Sequence, residues 1–335
     1  MKKIILILLL PLLLLPASCR KIPQPVSKAD FYLGTYVTVT LYDGSPEELI
    51  DLAFLEIKRL EGLLSRNMAS SDISRINAMA GIAPVDVSSE TIDVIRAGIG
   101  YHLTSQGTFD ITIGPLVSLW DIGGAGESIP PSADITRAMA LMDIGGIDIG
   151  DGWVYLSEKG MELDLGGIAK GYIADRVLVF LRENGCSSAI INLGGNVLTL
   201  GKKPGGDQWR IGIQDPFSPR GEYFAVLHVN EKSVVTSGIY ERYFVQDDKL
   251  YHHILDPFTG FPVASDLKGV SIVSNLSMDG DALSTAVFAL GLEKGMALVE
   301  SLSDTEAVFF TDTDKVLYSS GIGQDIKIEF MNAKK

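Results

Sequence analysis

Apolar residues recur at helical spacing in several stretches of the chain. Leu49, Ala53, Ile57, Leu60 and Leu64 fall on one face of a 3.6-residue period, which predicts a helix behind Ser45-Pro46-Glu47-Glu48. Ser45 is suited to cap it, Pro46 to its first turn, and Glu48 to close a capping box. Ile92, Ile95 and Ile99 predict a second helix over about 90–103, and a third opens at Ser132. A fourth covers 168–184 and stops at Gly185, a residue type that accepts the left-handed turn after a helix. A fifth covers 281–290 before Gly291, and a sixth 293–302. Strand-like runs lie at 36–42, 153–156, 161–165, 189–193, 209–214, 225–229, 241–245, 250–255, 270–274 and 307–311. Asp247-Asp248, between two alternating runs, predicts a hairpin turn. Helices gather in the first half and strands in the second, so the pattern indicates an α+β fold rather than a doubly wound parallel sheet. No repeat or internal linker interrupts it, which indicates one domain.

The N-terminus follows another pattern. Lys2 and Lys3 precede an apolar run from Ile4 to Leu15, and Ala17-Ser18 lead into Cys19. A basic start, a short apolar core and a small-residue cleavage site predict a signal peptide over 1–18, since a spanning helix needs about 20 apolar residues. Cys19 after small residues resembles a bacterial lipobox and is the candidate lipidation residue; the other reading is a cleavable signal with an incidental cysteine. Residues 19–28, with Pro23 and Pro25, read as a tether, which leaves 29–335 for the domain. The expected location is the periplasm, anchored to a membrane, with the inner membrane favoured.

Cleavage removes two lysines and no acid, so the formal charge of −14 becomes −16. So acidic a surface excludes nucleic acid as a partner and adhesion to anionic lipid through charge. With Cys19 lipidated, Cys186 stands alone, which excludes a disulfide framework and a thiolate zinc site.

Four stretches are richer in glycine and polar groups than a core needs. In Glu162-Leu-Asp164-Leu-Gly-Gly167-Ile-Ala169-Lys170-Gly171-Tyr172, an apolar run ends in an acid, crosses two glycines and enters a helix with a first-turn lysine. Free N–H groups at a helix start, glycine and lysine together favour phosphate. A plain strand-to-helix turn with a surface lysine reads equally well. In Asp279-Gly-Asp281-Ala-Leu-Ser284-Thr285, residues 281 and 285 share a helix face, and carboxylate plus hydroxyl at that spacing suit a hard cation such as Mg²⁺. An N-capping Asp and a buried Thr is the alternative. In Tyr251-His252-His253-Ile254-Leu255-Asp256-Pro257-Phe258-Thr259-Gly260, the adjacent histidines of one strand face opposite ways and cannot chelate one ion together. The fourth stretch, Gln106-Gly107-Thr108-Phe109-Asp110-Ile-Thr112, is a turn entering a regular element, or simply a loop.

In this order these stretches resemble the ApbE family of FAD:protein FMN transferases. The likeness continues through Phe31-Tyr-Leu33-Gly-Thr35, Ser65, Ser74-Arg-Ile-Asn77, Gly114-Pro-Leu116, Leu119-Trp120, Asn192-Leu-Gly-Gly195 and Thr236-Ser-Gly238. It spans nearly the whole mature chain, and the lipobox makes it similar to lipid-anchored members of the family. The resemblance implies one α+β unit, an antiparallel T-fold-like sheet core flanked by helices, with FAD in a cleft between helical and β-rich parts. It implies attack on the FAD pyrophosphate, loss of AMP, and FMN esterified to a Thr or Ser of an acceptor, with subunits of membrane redox-driven ion pumps expected as acceptors. It places Asp281, Ser284 and Thr285 at the magnesium site, completed by a backbone carbonyl near Gly167 to Ala169. It places Leu33, Asn67, Thr108, Phe109, Asp110, Asp164, Lys170, His253 and Ile254 at the FAD, with His253 catalytic.

One departure stands out. The family commonly has Tyr where this chain has Asn67, and that ring would stack on the isoalloxazine. Aromatic pairing adds about 0.5–1.5 kcal/mol beyond area, so Asn should hold flavin less tightly and let water compete as acceptor. The expected consequence is FAD pyrophosphatase activity beside transfer. Two other classes compete with an enzyme: a flavin-binding lipoprotein that stores or relays FAD, and a structural or nutrient-binding surface lipoprotein.

Overall fold

The computed structural model describes residues 23–215 and 221–331, so the signal peptide, Cys19 and the start of the tether lie outside the described residues. Its helices are α1 (Glu48–Leu64), α2 (Asp72–Ala78), α3 (Ser89–Thr104), α4 (Gly114–Trp120), α5 (Ser132–Met139), α6 (Ala169–Glu183) and α7 (Ser277–Ser301). An antiparallel sheet of eight strands runs in the order Val26–Tyr32, Thr35–Leu41, Ser188–Leu193, Asn196–Gly201, Ser233–Gly238, Leu267–Ser274, Glu306–Thr311 and Val316–Tyr318.

The two-residue period of a strand explains how this sheet sits between layers. Along Leu267–Ser274, Val270 and Ile272 point to α7, where they pack with Leu283, Val287 and Phe288. Val273 points the other way, to Trp209, Ile211, Ile213 and Leu227 of a three-stranded sheet formed by Trp209–Gln214, Tyr223–Val229 and Lys327–Phe330. Helices therefore cover one face and a small sheet the other. α1 and α6 join α7 on the helical side, through Ile50, Ile57, Leu60, Ile173 and Val177. Beyond them α4 and α5 close over the hairpin Tyr243–Gln246/Lys249–His252, with Trp120 against Tyr251 and Phe244.

The antiparallel α+β expectation holds, and most elements lie where the periodicity puts them. Asp247 and Asp248 turn the hairpin with φ of 50° and 59°. Gly291 has φ 77° and breaks α7 where the pattern splits two helices.

Several expectations are corrected. Ser45 does not cap α1: the cap is Glu47 without a side-chain bond, and the Ser45 N–H is held by Asp43. Residues 161–165 form no strand, because Asn77 and Ile111 take the backbone groups that a neighbouring strand would pair. Residues 26–28, read as tether, are the start of the first strand. The run over 250–255 leaves its hairpin after His252. α7 opens at Ser277, not at 281, so Asp281 is inside the helix and does not cap it. The short helices α2 and α4 and the strands Asn196–Gly201 and Ser233–Gly238 gave no pattern strong enough to be read.

α6 and α7 cross at Gly171. A Cβ there would stand 2.3 Å from the Ser277 carbonyl oxygen and 2.6 Å from the Met278 Cα, so only glycine permits this approach. Gly171→Ala should force the helices apart and lower stability by about 1–3 kcal/mol in urea unfolding; a wild-type midpoint would show that the crossing has slack.

Candidate active site

The crossing of α6 and α7 builds the centre of the site. The Gly171 N–H, one of the free donors of the first turn of α6, donates to Asp281 Oδ2 at 3.0 Å. Lys170 Nζ lies 3.2 Å from Asp281 Oδ1 and 3.1 Å from the Gly166 carbonyl. Asp281 is only 4% exposed, so its charge is met by a backbone N–H and a lysine in place of water. Thr285 stands one turn further on, its Oγ1 3.5 Å from where a Cβ of Gly167 would be. Ser284 is placed differently: its hydroxyl bonds Ser237 Oγ at 2.8 Å and the Asp281 carbonyl at 2.9 Å, tying α7 to the strand beneath.

Carboxylate, hydroxyl and the backbone carbonyls of the 166–169 turn make an all-oxygen donor set, which fits Mg²⁺. Among the described residues no group of three or more His, Cys, Asp or Glu side chains is placed to hold a metal. A cation here would thus take one carboxylate from the protein and need phosphate oxygens to complete its shell. That matches the habit of Mg²⁺, which binds through one or two carboxylates together with substrate phosphates.

Asp164 frames the mouth of α6. Its Oδ1 accepts from the Gly166 N–H at 2.7 Å, and its Oδ2 from Arg66 Nη1 at 2.9 Å. Arg66 reaches on to Glu162 Oε2 at 2.8 Å and to Ser118. Arg66 was not singled out from the sequence, since its partner lies 98 residues away, although it adjoins Asn67. Asn67 itself is exposed, in the turn that follows α1. A surface cavity of about 540 Å³, lined by Pro115, Ser118, Arg137 and Glu162 among others, borders this network, and Asp281 is not among its lining residues.

Phe109 is buried against Gly167, where a Cβ would come within 3.0 Å of its ring. Thr108 Oγ1 bonds the Ser105 carbonyl at 3.0 Å. Asp110 turns back on its own segment, accepting from Thr112 N–H and Oγ1 at 2.7 and 2.6 Å, with His102 Nδ1 3.3 Å away. Leu33 adopts φ 55° at a hairpin tip, with its N–H on Glu61 Oε1 at 2.8 Å. Ile254 is 4% exposed and belongs to the core around Phe288, so its side chain does not line an open cleft.

The two histidines make separate bonds, and His253 lies just beyond the strand that ends at His252. His252 is buried, with Nε2 3.1 Å from the Val263 carbonyl. His253 Nδ1 lies 3.1 Å from the Arg242 carbonyl. A carbonyl only accepts, so in the neutral ring Nδ1 carries the proton and the Nε2 lone pair is free. Desolvation first, and then the positive charge of Arg242, push the imidazole pKa down to about 3, with Lys170 adding to the effect. Histidine NMR should find His253 neutral from pH 8 down to about 5, with Arg242→Ala raising its pKa; an ordinary midpoint near 6.5 in the wild type would contradict this.

Known proteins resemble this chain in sequence and in fold. A protein named FAD:protein FMN transferase from Klebsiella pneumoniae (strain 342) is 43% identical over 290 residues, 86% of this chain and 90% of its own. One of the same name from Treponema pallidum (strain Nichols) is 36% identical over 321 residues, 90% of this chain and 89% of its own. The crystal structure of the ApbE protein from Thermotoga maritima superposes with a TM-score of 0.83 at 29% identity, covering 89% of this chain and 97% of the other. Pseudomonas stutzeri flavinyl transferase ApbE in its apo form gives 0.78 at 30% identity, with 89% and 95% covered. Residues 33–309 match the family profile, from the Leu33 turn past the last helix to the strand Glu306–Thr311. The chain belongs to the ApbE family.

Proposed function

We propose that this protein is a magnesium-dependent FAD:protein FMN transferase that joins FMN through its phosphate to a Thr or Ser of exported acceptor proteins and also hydrolyses FAD to FMN and AMP. The observation that carries this reading is the Asp281 carboxylate, held by the Gly171 N–H and Lys170 at the glycine-lined start of α6, with Thr285 one turn away beside Gly167. The names borne by relatives at 43% and 36% identity agree with its transferase part.

In the reaction, an acceptor Oγ bonds the FMN phosphorus while the bond from that phosphorus to the bridging oxygen breaks, and AMP departs with the electron pair. Asp281 and Thr285, with a backbone carbonyl between Gly167 and Ala169, would hold a magnesium ion that neutralises the pyrophosphate and the leaving group. Lys170 then swings from Asp281 to the phosphates, where with the helix N-terminus it meets the charge that builds on the equatorial oxygens. His253 Nε2 takes the proton of the attacking hydroxyl. The ring is neutral at working pH, and the negative charge of a bound pyrophosphate would raise its low pKa towards the range in which a base is effective. Asp164, clamped by Arg66, shapes the flavin side of the cleft.

Water replaces the acceptor hydroxyl where the flavin is held loosely. Asn67 supports that branch, since it provides no ring to stack on the isoalloxazine. The acceptors expected by likeness to the family are subunits of redox-driven ion pumps in the membrane. The lipobox-like Cys19 would anchor the enzyme on the periplasmic side beside such subunits.

Purified protein with FAD and Mg²⁺ should release AMP, and a Thr-bearing acceptor should gain the mass of FMN less water. Asp281→Ala should lower AMP release by about two orders of magnitude or more while the protein stays folded. Asn67→Tyr should retain more FAD and hydrolyse less. Wild-type protein that binds FAD and returns it intact would replace the enzyme with a flavin carrier. Cys19→Ser should move the protein from the membrane fraction to the soluble periplasm; unchanged membrane association would remove the lipid anchor.

A further inference from the structure

α7 begins without the usual help. Its N-cap residue is Leu276, which has no side chain able to accept the free N–H groups of the first turn. Those donors are met from another helix. Asp175 of α6 accepts the Ser277 N–H on Oδ1 at 2.8 Å and the Met278 N–H on Oδ2 at 2.9 Å. Ser277 is secured a second time, its hydroxyl bonding Ser233 Oγ at 2.9 Å and Asn196 Oδ1. From Ser277 one helical turn leads to Asp281, whose carboxylate returns to α6 at Gly171.

The two helices are thus linked at both ends of a single turn. Asp175 holds the start of α7, and the Gly171 N–H holds the Asp281 carboxylate. A rigid turn between two such anchors leaves Asp281 little freedom. The carboxylate of Asp175 also stays half-buried with Asp279 and Asp281 as like-charged neighbours, and its pKa rises to about 6, by desolvation first. So costly a placement for a charge would be relieved by a cation at Asp281.

We propose that Asp175 is a positioning residue for the divalent-cation site: it caps α7 across the helix pair and so sets the angle at which Asp281 presents its carboxylate. This rests on the reading of Asp281 and Thr285 as cation ligands. Supporting groups behind a metal ligand typically change affinity about 10–100-fold when replaced. Asp175→Asn keeps the shape, can still accept one N–H, and opposes the other with an NH₂ group. The control is Asp279→Asn, which removes a neighbouring charge that is held by the Tyr101 hydroxyl and caps no backbone N–H.

The test is Mn²⁺ binding to the full chain in the presence of ADP, whose diphosphate stands in for that of FAD without being a flavin substrate, followed by electron paramagnetic resonance, together with the Mg²⁺ dependence of AMP release. Asp175→Asn should weaken Mn²⁺ binding by about tenfold or more. The Mg²⁺ concentration for half-maximal AMP release should rise in step, with a near wild-type rate at saturating Mg²⁺; Asp279→Asn should have the smaller effect. Equal losses in the two variants would reduce Asp175 to one charge among several and overturn the proposal. A lowered melting temperature with unchanged Mn²⁺ affinity would do the same. Wild-type protein that binds no Mn²⁺ would remove the cation reading itself, a result distinguishable from either.

Discussion

Gly171 lets two helices meet at a distance no other residue allows, and the site is a consequence of that contact. With the backbone of α6 pressed against Ser277 and Met278, an N–H at the mouth of one helix reaches a carboxylate inside the other. An unbonded buried carboxylate would cost several kcal/mol. Asp281 avoids this because N–H and ammonium donors meet it. The same contact brings Asp175 to the start of α7, so packing and electrostatics are settled together.

The site is a local exception to the charge of the protein. The chain is strongly acidic, yet Lys170, Arg66 and Arg242 gather around the mouth of α6 and the His253 loop, where an anionic substrate needs them. Burial lowers the pKa of His253, with Arg242 and Lys170 adding to the effect, and burial raises that of Asp175, with Asp279 and Asp281 adding to it.

Glycine accounts for much of the architecture that remains. Gly167 keeps the space beside Phe109 and Thr285 clear, and Gly291 breaks the long C-terminal helix so that its second half can follow the sheet. Leu33 takes a left-handed conformation without being glycine, and the bond from its N–H to Glu61 holds the tip in that shape.

Long periodic segments were legible from the residues alone, because burial of one face leaves a mark every 3.6 or two positions. This covers α1, α3, α6, both halves of α7, most core strands and the Asp247-Asp248 turn. The i, i+4 pairing of Asp281 and Thr285 was legible for the same reason, as both lie on one element. Short helices such as α2 and α4 carry too few turns to mark the pattern. The clamp of Arg66 on Asp164, the cross-helix cap by Asp175 and the turning of Ser284 towards Ser237 belong to no local pattern. Each joins residues tens of positions apart, and only the packing of α1, α6, α7 and the sheet brings those atoms together. Local periodicity decides which elements form and which faces they bury; tertiary contact decides which charges end up within reach of one another.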